Sequence, residues 1–137
     1  MAYDAQRAVQ IVDNGTAAST GVKGSYYGGL EPFIVRQFSV VCKTEPSGSA
    51  VITLKHRPLP GSATGEVVIA TINVLAATNA GDVVYKTGLN YAVKGSEEVV
   101  VDVTTAHASL TSFNASAQID PNYEVPANLD TAVVATT

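Results

Sequence analysis

Apolar and polar side chains alternate along several short segments of the chain, and this period of two limits the possible folds more than any other feature. Across residues 113–120 every second side chain is apolar, from Phe113 to Ile119, and those between them are polar. Residues 97–103 show the same alternation in their valines, except that Val100 falls among the polar side chains. Because successive side chains of a β-strand point to opposite faces, both segments are predicted to be strands with one buried face.

Further strands are predicted where the same signal is weaker, with Gly- and Pro-containing breakers between them. These weaker segments are residues 9–12, 33–43, 50–56, 66–74, 82–86 and 91–93. The breakers recur about every 8–12 residues, a spacing typical of antiparallel sandwiches and barrels. The sequence has no long amphipathic pattern of the kind found in helices that connect parallel strands. It therefore predicts an all-β fold of antiparallel strands.

Length indicates one folded domain, and composition distinguishes its ends from its middle. A chain of 137 residues suits a single domain, and we expect the β-sandwich core at residues 31–120. Residues 1–30 are predicted to form an N-terminal arm or edge strand with a Gly/Ser-rich loop, because residues 13–30 can bury little apolar surface. Residues 121–137 contain two prolines and are predicted to be a C-terminal tail. Both ends are thus expected to extend as arms.

Composition and charge also narrow the class of protein. The chain is 46% hydrophobic and 15% charged, which excludes a disordered polyelectrolyte. Its 8 basic residues face 12 acidic ones, for a net charge of −4, so we expect no direct nucleic-acid binding. The chain has no apolar run near the roughly 18 residues of a membrane span, and MAYDAQRAVQ lacks the features of a secretion signal. We therefore expect no membrane partner and a protein made in a cytoplasm.

Reactive residues are too few and too scattered in the sequence to indicate an enzyme, a cofactor or a bound metal. The two histidines, His56 and His107, lie far apart and lack the neighbouring ligands that a metal site needs. We expect His56 at a surface or edge position at a strand end, and His107 in a loop. The single cysteine, Cys42, ends an apolar face and is predicted to be a buried structural thiol. Glu66, Glu97 and Glu98 are predicted to be solvated charges at a strand edge.

Tyrosines outside the strongest strands are the candidate interface residues. The set is Tyr3, Tyr26, Tyr27 and Tyr123, in the predicted arms and loops. Tyrosine is enriched at interfaces because its ring gives contact area while its hydroxyl keeps a hydrogen bond. For Tyr26 and Tyr27, packing into the core is the alternative. With few charged residues and no reactive cluster, the sequence favours association as the function.

The middle of the chain resembles a known family of virion proteins. The segments VLAATNAGDVVYK, YAVKGSEEVVVDVTTAHAS and FNASAQID are similar to small structural proteins of tailed bacteriophages, more narrowly to the jelly-roll cement or decoration proteins of phage heads. The resemblance covers roughly residues 30–120. It implies a jelly-roll β-sandwich that forms dimers or trimers and clasps adjacent copies of the major capsid protein. It implies no catalytic residues.

The leading hypothesis is therefore a cement subunit on the outer surface of a phage capsid, assembled in the host cytoplasm. Many weak contacts around a closed shell would combine to hold it there. A tail-tube or other virion structural subunit is an alternative of the same structural class. A carbohydrate-binding or adhesion module is another, although the chain has no Trp to serve as a sugar platform.

Overall fold

A computed structural model of the chain describes residues 7–121, which form nine β-strands and no helix. The strands are β1 (Arg7–Gly15), β2 (Gly21–Tyr27), β3 (Phe33–Cys42), β4 (Ala50–Arg57), β5 (Val67–Val74), β6 (Val83–Lys86), β7 (Tyr91–Val93), β8 (Glu98–Thr105) and β9 (Phe113–Pro121). All of their pairings are antiparallel. The predicted all-β class is confirmed.

The strands form two sheets that pack face to face. The five-stranded sheet has the order β1-β9-β3-β6, with β7 also paired to β3, and the four-stranded sheet has the order β2-β8-β4-β5. Strand β6 pairs with Phe38 to Val41 of β3, and β7 pairs with Phe33 to Val35. Because they pair with successive parts of one strand, β6 and β7 occupy a single position in the sheet, interrupted by residues 87–90.

The order of pairing is that of one long hairpin rolled into two layers. Strand β1 pairs with β9, β2 with β8, β3 with β6 and β7, and β4 with β5. Nested pairing of this kind, distributed over two sheets with eight strand positions, is a jelly roll. The topology implied by the resemblance is thus observed, with one of its eight strands broken in two.

The core lies between the two sheets and is built from the predicted alternation. In β3 and β4, Phe38, Val40, Ile52 and Leu54 point inward and have no exposed surface. The apolar side chains of β8 and β9 that the alternation assigned to a buried face are all buried as well. Burying one large apolar side chain contributes about 1.5–3 kcal/mol, so these two inner faces hold the sheets together.

The N-terminal region differs from its prediction. Residues 21–27, within the predicted Gly/Ser-rich loop, form β2, and β1 extends beyond the predicted edge at residues 9–12. Both are edge strands within the sandwich. The physical reason is that β2 forms through backbone pairing with β8 rather than through burial of large side chains. Of the predicted terminal segments, residues 1–6 and 122–137 lie outside the described residues.

Candidate association surface

Each sheet ends in two edge strands, and the edges of the two sheets lie one above the other. On one side of the sandwich β5 lies beside β6, and on the opposite side β1 lies beside β2. We call strands β5 and β6, with the connecting residues 75–82, the β5–β6 edge, and strands β1 and β2 the β1–β2 edge. Within the described residues neither β5 nor β6 has a strand partner on its outer side.

The β5–β6 edge is unusually apolar. Of the nine large hydrophobic side chains that are exposed in the described residues, five lie on it. They are Val67, Val68, Leu75, Val83 and Tyr85. From residue 67 to residue 86 only Asp82 and Lys86 are charged. Exposed strand edges without charges are templates for pairing with another chain, and exposed apolar patches mark interaction sites.

Strand pairing fixes the directions of these side chains. Val83 lies opposite Val41, and Tyr85 lies opposite Ser39, on the outer face of the five-stranded sheet. In the other sheet, a register shift between Leu54 and Lys55 of β4 displaces the pairing with the start of β5. There Val67 and Val68 have 44% and 56% of their surface exposed. Exposed apolar side chains are therefore present on the edge strands of both layers.

The predicted interface tyrosines are not brought together. Tyr26 is half-buried and packs edge-on against Phe33, with ring centroids 5.3 Å apart, so its position favours the core alternative. Tyr27 points the other way and is 53% exposed. Tyr3 and Tyr123 lie outside the described residues. Tyr85, which is 58% exposed on an edge strand, is not among the predicted interface residues. The uncharged stretch in which it lies is the sequence signal for it.

His56 is not at the surface, and its prediction is wrong. It is 9% exposed and follows Ile52 and Leu54 on the inner face of β4. Its Nδ1 lies 2.9 Å from the hydroxyl of Tyr91, and its Nε2 lies 2.7 Å from Oε1 of Glu97. Tyr91 belongs to the other sheet, so the imidazole bridges the two layers where the apolar core ends.

This polar group links the two sheets of the sandwich. Both ring nitrogens of His56 are occupied by neighbours within the protein. Burial, and then the charge of Glu97, raise the pKa of Tyr91, so its hydroxyl keeps its proton and is a poor nucleophile. Glu98 is 8% exposed and accepts a hydrogen bond of 2.9 Å from the backbone N–H of Gly61. The prediction of Glu97 and Glu98 as solvated edge charges is therefore wrong.

An ionic network on the outer face of the four-stranded sheet fastens the start of β5 to β4. Lys55 Nζ lies 2.7 Å from Asp102 and 3.1 Å from Glu66, and Arg57 Nε lies 2.8 Å from Glu66. A hydrogen bond to Asp102 is the largest cause that raises the pKa of Lys55. The hydrogen bond from Arg57 is the largest cause that lowers the pKa of Glu66. Both shifts show that the charged forms are stabilised by their partners. Glu66 is ion-paired and partly buried, so its prediction as a solvated edge charge is wrong as well.

The remaining candidates of the sequence show no reactive arrangement. Cys42 is fully buried, as predicted, and burial together with the charge of Asp82 raises its thiol pKa. His107 lies in the loop between β8 and β9, as predicted, where its Nδ1 lies 2.7 Å from the Ser109 hydroxyl. Among residues 7–121 no three side chains are grouped as metal ligands would be. The same residues include no helix of the length and hydrophobicity that a membrane crossing requires.

Comparisons with known proteins give similarities of architecture at low identity. No family model and no curated protein matches the chain. Among solved structures, it is similar to the C-terminal domain of EclA, a sugar-binding protein (13% identity, TM-score 0.49, 88% of this chain and 81% of that one). It is also similar to the Drosophila NLP core (10%, TM-score 0.43, 83% and 96%). A third is the VP2 subviral particle of infectious bursal disease virus (14%, TM-score 0.36, 86% and 30%). Because one fold serves many functions, the function has to be argued from this chain's own surface.

Proposed function

We propose that the chain is a structural virion subunit, a cement or decoration protein that binds the major capsid protein on a phage head and associates with copies of itself. The observation that carries this proposal is the β5–β6 edge. On one side of a small sandwich it offers two strand edges that are unpaired among the described residues, together with five exposed large apolar side chains. The resemblance of the sequence to phage decoration proteins supplies the capsid as the larger partner.

A second copy of this chain is the occupant that we assign to the β5–β6 edge. The chain has a net charge of −4, so two copies repel each other wherever their charged surfaces meet. The edge is where that repulsion is weakest, because only Asp82 and Lys86 are charged from residue 67 to residue 86. Edge-to-edge pairing supplies main-chain hydrogen bonds, and the exposed Val83 and Tyr85 supply apolar contact.

Self-association would also strengthen binding to a capsid. A subunit tethered by one contact experiences a high effective concentration of the next site, so contacts that are weak alone combine into tight binding. A dimer or trimer could therefore bridge neighbouring capsid proteins without a large interface to any one of them.

The test compares matched charge substitutions on the two sides of the sandwich. Val83→Lys places a charge on the β5–β6 edge, and Val22→Lys places one on the β1–β2 edge, where Val22 is 43% exposed. We expect the wild-type chain and Val22→Lys to sediment as oligomers in analytical ultracentrifugation, and Val83→Lys to sediment as a monomer. Both variants should unfold within about 0.5 kcal/mol of wild type, because both positions are exposed. A monomeric wild type, or equal dissociation of both variants, would contradict the assignment of this edge.

Capsid binding is measured with the same proteins. Shells that lack a decoration layer are mixed with each variant and sedimented. We expect wild type and Val22→Lys to sediment with the shells and Val83→Lys to bind more weakly. The role of the N-terminal arm is tested by deleting residues 1–6, because a deletion through residue 28 would remove β1 and β2 from the sandwich. Failure of every form to bind shells would reject the cement function.

A further inference from the structure

Arg36 interrupts the regular pairing of a central strand. The register between β3 and β9 shifts between Val35 and Gln37, which leaves Arg36 as an extra residue in β3. Such bulges redirect a side chain and are frequent beside functional sites. The backbone carbonyl of Arg36 accepts a hydrogen bond of 3.1 Å from the N–H of Leu89, which holds the β6–β7 loop against the bulge.

The bulge and this loop form an open depression on the outer face of the five-stranded sheet. We call it the Arg36 depression; its lining residues are Arg36, Gln37, Thr87, Gly88, Leu89 and Asn90. Its volume of about 480 Å³ lies within the roughly 300–1,000 Å³ of small-molecule sites. It is separate from the polar group of His56, which lies between the sheets.

The guanidinium of Arg36 is held in position by its two outer nitrogens. Nη1 donates to Oδ1 of Asn90 at 2.7 Å, and Nη2 donates to Oδ2 of Asp120 at 3.1 Å. Its Nε is buried with no hydrogen-bond partner among the described residues. A buried donor without a partner lowers stability, and such violations are expected at functional sites. The ion pair with Asp120 links β3 to β9 and so contributes to the sheet, whereas Nε is left unsatisfied among the described residues.

The groups around the depression match a neutral ligand rich in hydroxyls. Arg36 offers N–H donors, and the side-chain amides of Gln37 and Asn90 each contain both a donor and an acceptor. Asp120 lies 3.1 Å from the guanidinium and balances its charge, and the lining has no other charged side chain. An anionic ligand would have to compete with Asp120, whereas a sugar hydroxyl can both donate and accept.

Apolar surface beside these polar groups completes the match to a sugar. Leu89 is the apolar side chain of the lining, and the C–H face of a sugar ring can pack against it. We propose that the Arg36 depression binds a neutral saccharide, a function that goes beyond assembly on a capsid.

Titration with simple sugars tests the site. Lactose and maltotriose serve as neutral probes, and 3′-sialyllactose is the acidic counterpart of lactose. We expect the neutral probes to shift the backbone amide NMR signals of residues 36–37 and 87–90. Asn90→Ala should weaken this binding roughly two- to tenfold, the effect of one lost hydrogen bond. Gln10→Ala, an exposed amide on the same outer face at the far edge, should leave the affinity unchanged.

The outcomes separate this site from the proposed function. The titrations use the Val83→Lys variant as well as wild type, so that sugar binding is measured with and without the proposed self-association. No shifts with either neutral sugar at millimolar concentration would overturn the proposal, as would shifts with 3′-sialyllactose alone. Equal loss of affinity in Asn90→Ala and Gln10→Ala, with both proteins folded, would place binding elsewhere. None of these results bears on capsid binding, which is measured by sedimentation.

Discussion

The two sides of the sandwich differ in how well their exposed strand edges are protected from pairing with another chain. At the β1–β2 edge, Arg7, Asp13 and Lys23 place charges along the strands. The pairing is also irregular, because β1 has two register shifts against β9 and β2 has one against β8. Gly24 of β2 lies so close to Ile11 of β1 that a Cβ would overlap the carbonyl oxygen of Ile11. Bulges, charges and close packing are means by which proteins prevent edge pairing.

The β5–β6 edge has fewer of these protections. Its pairing with β3 is regular over β6, and β5 carries no charged side chain. The one irregularity is the register shift opposite the start of β5. The β1–β2 edge is charged and irregular, whereas the β5–β6 edge is apolar and more regular, so the β5–β6 edge is the preferred side for association. Every sandwich of this kind has exposed strand edges, but in this chain association is expected on one side only, at the β5–β6 edge.

The largest effect on stability is expected from adding a methyl group at the β1–β2 edge. Gly24→Ala would force the Cβ into the carbonyl oxygen of Ile11 and against a methyl of Val12, so the two edge strands would have to separate. We expect the free energy of unfolding to fall by at least about 2 kcal/mol, as for other overpacked sites. Urea denaturation measures it, with Ser25→Ala, an exposed neighbour in β2, as the control. An unchanged midpoint in Gly24→Ala would show that β1 and β2 are not closely packed against each other.

The β1–β2 edge is also the part of the fold that is hardest to predict from the sequence. Strands β8 and β9 could be predicted because their apolar side chains alternate and pack between the sheets. Strand β2 could not, since its residues GVKGSYY show no such alternation. Its place depends on hydrogen bonds to β8 and on the close approach at Gly24, and both of these involve residues that are distant in the sequence.

The candidate surface was visible only in part. The uncharged stretch that contains Tyr85 can be found in the sequence, but whether β5 and β6 are edge or central strands depends on the topology of the whole domain. The role of His56 was hidden for a similar reason, because Tyr91 and Glu97 are 35 and 41 residues away along the chain. The bulge left a signal, because Arg36 interrupts the alternation: the buried positions change phase between Val35 and Phe38.

A moderate effect on stability is expected from breaking the ionic network that fastens the start of β5 at the β5–β6 edge. Glu66→Gln removes the carboxylate that Lys55 and Arg57 share, which frees the start of β5. We expect a loss of about 1 kcal/mol near pH 7, since these side chains are partly shielded from water. Glu31→Gln, at an exposed residue of the β2–β3 loop, is the control and should change stability by less than about 0.5 kcal/mol.

The dependence on pH follows from the directions of the two pKa shifts. The pKa of Glu66 is lowered from 4.5, so its contribution is present above pH 4.5 and is lost as the pH falls through the lower folded value. The pKa of Lys55 is raised from 10.5, so its contribution is present below pH 10.5 and is lost as the pH rises through the higher folded value. Glu66→Gln should therefore flatten the acid limb of the stability profile. An acid limb equal to that of wild type would assign the acid loss to other carboxylates.

The smallest effect on stability is expected from removing a charge at the β1–β2 edge. This substitution tests whether charge or backbone geometry keeps the edge unpaired. Lys23→Thr removes a cation of β2 whose Nζ donates to the Ser19 hydroxyl at 2.9 Å in an exposed position. We expect a change in stability below about 0.5 kcal/mol. Made in the Val83→Lys background, it should also leave the chain monomeric, because the register shifts of β1 and β2 remain. Renewed association in ultracentrifugation would show that charge, rather than the irregular backbone of these strands, keeps the β1–β2 edge unpaired.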